Sequence, residues 1–239
     1  MNDSLSGTVL AMHLAKYLLS KKNYYTYRFI FIPETIGSIV YLSKNIDIMK
    51  KNIIGGYVIT CVGDEGDFTY LQTKNENQFF DLTLFILNQK NINFKLRDFS
   101  TCGSDERQYN YPGIDLNIGS LMKTKYHDFN EYHTSADNLD FVSEKGMNES
   151  YNMYIECINL IEKNRIYSNK TLCEQFLSKY NLYTLIGPID RNSIFFDLVK
   201  VIRYIDSKND LIDLSKKLNI SIDRLYKIID LLLENKLIF

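Results

Sequence analysis

The sequence predicts an α/β layered domain followed by a small helix-turn-helix module, and three observations carry that prediction. Strand-like and helix-like apolar runs alternate over residues 1–165; polar, Gly-containing stretches follow the strand-like runs; and beyond Gly187-Pro188 the pattern turns wholly helical. The expected division is a domain over 1–165, a connector over 166–188 and a module over 189–239. A chain of 239 residues with 45% hydrophobic and 24% charged residues, 3 Pro and 11 Gly can bury a core, which excludes collagen-like and disordered classes. A formal net charge of -1 argues against general nucleic-acid binding.

Residues 5–20 place Val9, Met12, Leu14, Leu18 and Leu19 close to helical spacing, with Asp3, Ser4 or Ser6 available as caps. Residues 24–32 (YYTYRFIFI) are aromatic and β-branched and stop at Pro33, which predicts a strand buried on both faces. Residues 34–49 are helical in pattern, and 57–62 form a second strand that enters a Gly/Asp-rich turn at 63–67. A helix over 78–89, a short strand over 93–96, a polar stretch over 100–113, a strand over 116–122, a polar stretch over 123–140 and a helix over 143–163 complete the domain. Ligands of such sheets sit beyond the carboxyl ends of the strands, so chemistry is expected just after Ile32, Val62, Leu96 and Met122.

Past the Gly187-Pro188 dipeptide come helical patterns at 193–205, 211–218 and 222–234, and residues 236–239 are apolar enough to begin a wing. This is the pattern of a winged helix. Arg224 and Lys227 on its last helix are balanced by Asp223, Asp230 and Glu234, which favours protein packing over DNA. The four cysteines, Cys61, Cys102, Cys157 and Cys173, form no CxxC pair and are expected to be reduced thiols in a cytoplasmic protein. No apolar stretch approaches the ~20 residues that cross a bilayer.

Among the polar clusters, Glu34 follows a strongly apolar run, where it is either a base or an acidic residue favoured by a helix dipole. His133 is surrounded by Glu131, Asp137 and Asp140, any of which could orient it as a ligand or base. His13 and His127 lack such company. The loop GSDERQYNYPG gathers Asp105, Glu106, Arg107, Gln108, Tyr109 and Tyr111, with Arg107 able to pair a carboxylate bidentately. Asp64, Glu65 and Asp67 are of a type that binds a hard cation or faces water. P-loop, GxGxxG, GxSxG, HExxH and EF-hand spacings are absent.

In order, NDSLSG, FIFIPETIGS, GSDERQY and EYHTSADNLD resemble an aminopeptidase-like family of bacterial proteins, related to co-catalytic zinc aminopeptidases and associated with polysaccharide biosynthesis. The resemblance implies helices flanking a mixed sheet, a C-terminal winged helix, and a zinc-dependent hydrolase of peptide or amide bonds. By motif, Asp3 matches the bridging zinc ligand, His133 the terminal histidine ligand and Glu34 the general base. Asp105 matches a residue near the site, and Arg107 and Tyr109 are expected to meet substrate. Two departures stand out: Thr35 replaces a second, metal-binding glutamate, and a further aspartate has no evident counterpart, with Cys61 and Asp64 as the two candidates to substitute for it.

Relatives also carry a histidine ligand upstream of the bridging aspartate, so the chain is expected to be the C-terminal portion of a longer member. Expected partners are a small peptide or amide substrate and either a second copy or a complementing chain. A non-catalytic binding module is the alternative function, with a winged-helix DNA regulator the third.

Overall fold

A computed structural model describes residues 1–75, 78–182 and 193–239. They form two compact units, Met1–Asn159 and Leu160–Phe239. The first begins with a wide turn over Asn2–Ser6, in which Asp3 and Ser4 leave helical backbone angles, and continues into α1 (Gly7–Leu19). Gly7 is required there. A Cβ at that position would stand 1.9 Å from the carbonyl oxygen of Ile59, so only glycine lets the helix start so close to that backbone.

Then follow α2 (Ile36–Asn52), β1 (Gly56–Val58), β2 (Phe68–Leu71), α3 (Gln78–Gln89), β3 (Phe94–Arg97), the short α4 (Glu106–Tyr109), β4 (Ile118–Met122) and α5 (Glu144–Lys163). The sheet is mixed, in the order β1-β4-β2-β3. β1 runs parallel to β4 (Gly56 opposite Ile118), β2 antiparallel to β4 (Thr69 opposite Met122) and parallel to β3 (Phe68 opposite Phe94).

The two inner strands, β2 and β4, are buried at every residue, whereas the outer β1 and β3 are only partly covered. Strands covered on both faces carry no polar alternation, which is why β2 (FTYL) escaped the sequence expectations. Tyr154 of α5 packs edge-on against Tyr57 at 5.4 Å and donates its hydroxyl to the Leu121 carbonyl at 2.5 Å, tying helix to sheet.

The strand expected over 24–32 is corrected. Among the described residues that segment forms no strand, and its residues are half-buried or exposed instead of being buried on both faces. β-Propensity supplies a suitable surface, not a partner. In α1 the buried residues are Leu10, Ala11, Leu14 and Leu18, whereas Val9, Met12 and Leu19, expected on the same apolar face, are exposed.

In the second unit, α6 (Ile194–Tyr204), α7 (Leu211–Leu218) and α8 (Ile222–Glu234) pack around Leu198, Leu214, Leu225 and Ile228. Asp210 caps α7 in a reciprocal capping box with Asp213, and Asn219 ends it in the left-handed conformation. Within residues 236–239, expected to begin a wing, 237–239 pair with 168–170: Ser168 and Phe239 exchange backbone hydrogen bonds at 3.0 Å, and Lys170 donates to Leu237. Part of the expected connector is thus ordered within this unit, while Gly187-Pro188 lies outside the described residues. Arg224 donates to Asp197 at 2.6 Å, so one of the two cations on α8 is consumed inside the unit.

Candidate functional site

β1 and β4 are parallel, so their carboxyl ends open on the same side, and the chain leaving each is joined there: Lys123 N–H donates to the Cys61 carbonyl at 2.8 Å. The turn at 63–66 seals this junction. Asp64, noted above as a cation ligand or a substitute zinc donor, is buried and fully engaged as an acceptor. It receives Asn2 Nδ2 at 2.9 Å, Gly66 N–H at 2.8 Å and Thr124 Oγ1 at 2.6 Å. Its carboxylate braces loops.

The N-terminal segment is laid across this junction by side chains. Asn2 is wholly buried; its Oδ1 accepts from Gly63 N–H at 2.8 Å and its carbonyl from Cys61 N–H at 3.1 Å. Asp137, one of the three acids expected to orient His133, instead receives the backbone N–H groups of Asn2 at 2.6 Å and Asp3 at 3.0 Å. Burial pushes its carboxyl pKa up, but these two N–H groups and the N-terminal ammonium outweigh that and hold it below the usual aspartate value.

So placed, Asp3 turns one carboxylate oxygen to Thr60 Oγ1 at 3.3 Å and the other to His133 Nε2, also at 3.3 Å. His133 has φ 57° and stacks on Tyr132 with ring centroids 3.9 Å apart. Tyr132 marks the centre of the cluster. Burial, then the negative charges of Asp3 and Glu34, push its phenol up to about 12. Asp3, Glu34 and Cys61 thus lie close enough to act on this phenol electrostatically, and His133 stacks on it, although the four span 131 positions of sequence. Cys61 is itself buried, and burial holds its thiol up to about 12, so it is a neutral S–H at pH 7.

Glu34 is exposed and its carboxylate has no hydrogen bond or ion pair among the described residues. The next residue holds the loop. Thr35 has φ 60° and ψ -68°, a costly conformation for a β-branched residue. It is fixed by Asp105, whose Oδ1 accepts Thr35 N–H at 2.7 Å and Ser38 Oγ at 2.9 Å, and by Arg107, whose Nη2 donates to Thr35 Oγ1 at 2.8 Å. Asp105 and Arg107 are therefore engaged in positioning the Glu34 loop. Tyr109, expected to meet substrate, is a correction: it is buried with Leu42, Met49, Leu116 and Ile118, and packs the core under α2.

Sequence reasoning missed Glu106, Asn2 and Tyr132. Glu106 is fully buried; it accepts from Tyr126, Gly103 N–H and Ser104 N–H through Oε1 and from Ser120 through Oε2, and so builds the turn that carries Asp105. Burial and then the Glu106 charge raise the Tyr126 phenol far above its ordinary value. A charge run gives no sign of which member turns inward; the adjacency of Tyr132 to His133 was the one usable signal.

A catalytic zinc takes three protein donors. Asp3 and His133 supply two, and among the described residues no group of three or more His, Cys, Asp and Glu side chains is placed to hold a metal. These residues alone do not fit the ion. The hollow of about 570 Å³ nearby is lined by Asp64, Asp128, Phe129, Glu131 and Phe141 and includes none of Asp3, Glu34 and His133. No helix among the described residues is long and apolar enough to cross a membrane.

The chain is similar to known proteins over its whole length. It is 44% identical over 223 residues, 90% of its length, to a Clostridium acetobutylicum protein described as a candidate polysaccharide biosynthesis protein with an aminopeptidase-like domain. A crystal structure of a candidate peptidase from the same organism matches all of it at 40% identity and a TM-score of 0.85. The chain spans about half of each relative, 50% and 54% respectively.

At 18% and 16% identity, the LapA aminopeptidase of Legionella pneumophila (TM-score 0.53, 67% of this chain and 46% of that one) and an Aneurinibacillus aminopeptidase (0.52, 66% and 39%) share the fold. A winged helix-turn-helix model matches residues 165–239. Residues 1–164 match the family described as a domain of unknown function, DUF4910, and the chain belongs to that family.

Proposed function

We propose that the chain carries the acid-base part of an aminopeptidase-like hydrolase of peptide or amide bonds, acting in the cytoplasm. The observation that supports this is the convergence of Asp3, Glu34 and His133 on Tyr132 at the carboxyl ends of the parallel strands. In this reading Glu34 accepts the proton of the water that attacks the substrate carbonyl, its unengaged carboxylate being free to do so. Asp105 and Arg107 hold the strained Thr35 and so aim Glu34. Tyr132, neutral at pH 7, keeps His133 stacked in place and offers an O–H donor.

Zinc belongs to the reading only with a further donor from outside the described residues, since two fall short of three. The test is zinc content after mild dialysis, followed by release of p-nitroaniline from aminoacyl anilides with excess zinc. The chain is expected to retain well under one equivalent, with the residual uptake abolished in His133→Ala, and to lose hydrolysis in Glu34→Gln. Uptake unchanged in His133→Ala, or equal rates in Glu34→Gln and the parent, would sink the proposal. The incomplete donor set favours one second reading, a non-catalytic module that binds a peptide- or sugar-like ligand; it gains if the zinc-treated chain hydrolyses none of the anilides.

A further inference from the structure

Two apolar surfaces of the first unit are uncovered. On α1 one face is buried, and the other presents Val9, Met12 and Leu19 among Thr8, His13 and Lys16, with Met12 61% exposed. The second surface is the extended run before α2. Residues 29–32 (Phe-Ile-Phe-Ile) make no backbone hydrogen bond among the described residues, and Phe31 is 56% exposed.

The same apolar character continues into the first turns of α2, where Ile36 is 72% exposed and Ile39 and Val40 share its face. The run is held in place: a Cβ at Gly37 would stand 2.7 Å from the Ile32 Cβ, so the segment lies directly against the start of the helix. An extended β-branched and aromatic run with unused N–H and C=O groups is a template for strand addition.

What would cover it is indicated by the relatives. Each contains a counterpart of nearly all of this chain and about as much polypeptide again. We infer that residues 29–32 are a docking edge for a β-strand donated by polypeptide of the kind that forms the unmatched half of those relatives, with Ile36, Ile39 and Val40 as flanking contacts. Whether that polypeptide is joined to this chain or separate does not alter the surface. The inference is independent of the hydrolytic reading, because it concerns backbone pairing and apolar cover alone.

The test is to co-express the 239-residue chain with the part of the Clostridium acetobutylicum relative outside its match. Recovery of a 1:1 complex by light scattering is expected, with the amides of Phe29 to Ile32 exchanging at least ~10²-fold more slowly than in the chain alone. Ile30→Pro, which removes an N–H without a hydrogen bond among the described residues, and Phe31→Asp should each weaken the complex about 10-fold or more, with the circular dichroism of the chain unchanged. A chain that purifies alone, a complex that leaves these amides unprotected, or a homodimer closed through this run would overturn the inference.

Discussion

Glu34 and Glu106 are two glutamates of one domain with opposite surroundings. Glu106 is fully buried, with Tyr126, Ser120 and two backbone N–H groups on its oxygens, whereas Glu34 is exposed and its carboxylate is unengaged. They are nonetheless one mechanical system. Glu106 shapes the turn, the turn carries Asp105, and Asp105 fixes Thr35 beside Glu34. The lesson is that a saturated carboxylate can build structure while an unsaturated one is left for chemistry, and the pair is tested by perturbing each end.

The largest effect is expected at Glu34. If it accepts the proton in the reacting complex, Glu34→Gln lowers kcat by about 10²- to 10⁴-fold while thermal stability stays within about 0.5 kcal/mol, read by anilide hydrolysis beside a denaturation curve. A stability loss comparable to that at Glu106 would break the contrast between the two residues.

Next comes Glu106. Glu106→Ala leaves Ser104 N–H and the Tyr126 hydroxyl without their buried acceptor, while Gly103 N–H keeps the Tyr126 oxygen at 2.7 Å, a cost of about 3 kcal/mol in urea denaturation. Tyr126→Phe removes one donor to the carboxylate and one of the two acceptors of Gly103 N–H but leaves the carboxylate its backbone partners, so about 1 kcal/mol is expected. Equal losses in the two variants would show that the network acts through the phenol alone.

These predictions rest on features of uneven legibility. Helices were readable because their apolar spacing is local, and α3, α7 and α8 lie where the pattern put them. Strands were harder. β2 is four buried residues without alternation, while the most strand-like run, 24–32, forms no strand among the described residues, because pairing is decided by residues far away in sequence. The resemblance named Asp3, Glu34 and His133 together; no spacing argument could join residues 130 apart. Glu106 and Asn2 were illegible because inward orientation is a tertiary property, and an N-terminal asparagine is ordinarily expected to fray.

A smaller effect separates the clamp on Asp3 from Asp3 itself. The carboxyl pKa of Asp137 is lowered in the fold, so its stabilisation is complete above the unfolded aspartate value of about 3.9 and is lost as pH falls through the lower folded value. Amide exchange at Asn2 and Asp3 should accelerate in that acid window. Asp137→Asn should remove about 1.5 kcal/mol at pH 7 and flatten the acid response, whereas unchanged acid sensitivity would assign it to another carboxylate.

The smallest effect is expected at Tyr109, only two residues past Arg107. Its ring lies among Leu42, Met49, Leu116 and Ile118, and burial, with smaller contributions from Asp105 and Tyr41, pushes its phenol up to about 12, so it remains neutral. Tyr109→Phe keeps the ring and deletes a hydroxyl that the core does not use, so stability should change by about 0.5 kcal/mol or less and KM should be unaffected. Arg107→Ala, which releases the Thr35 hydroxyl at the surface, should lower kcat with little change in stability. The boundary between packing and chemistry then runs inside the short helix α4, with the side chain of Arg107 on one side and that of Tyr109 on the other. A raised KM in Tyr109→Phe would move that boundary and return the phenol to the substrate.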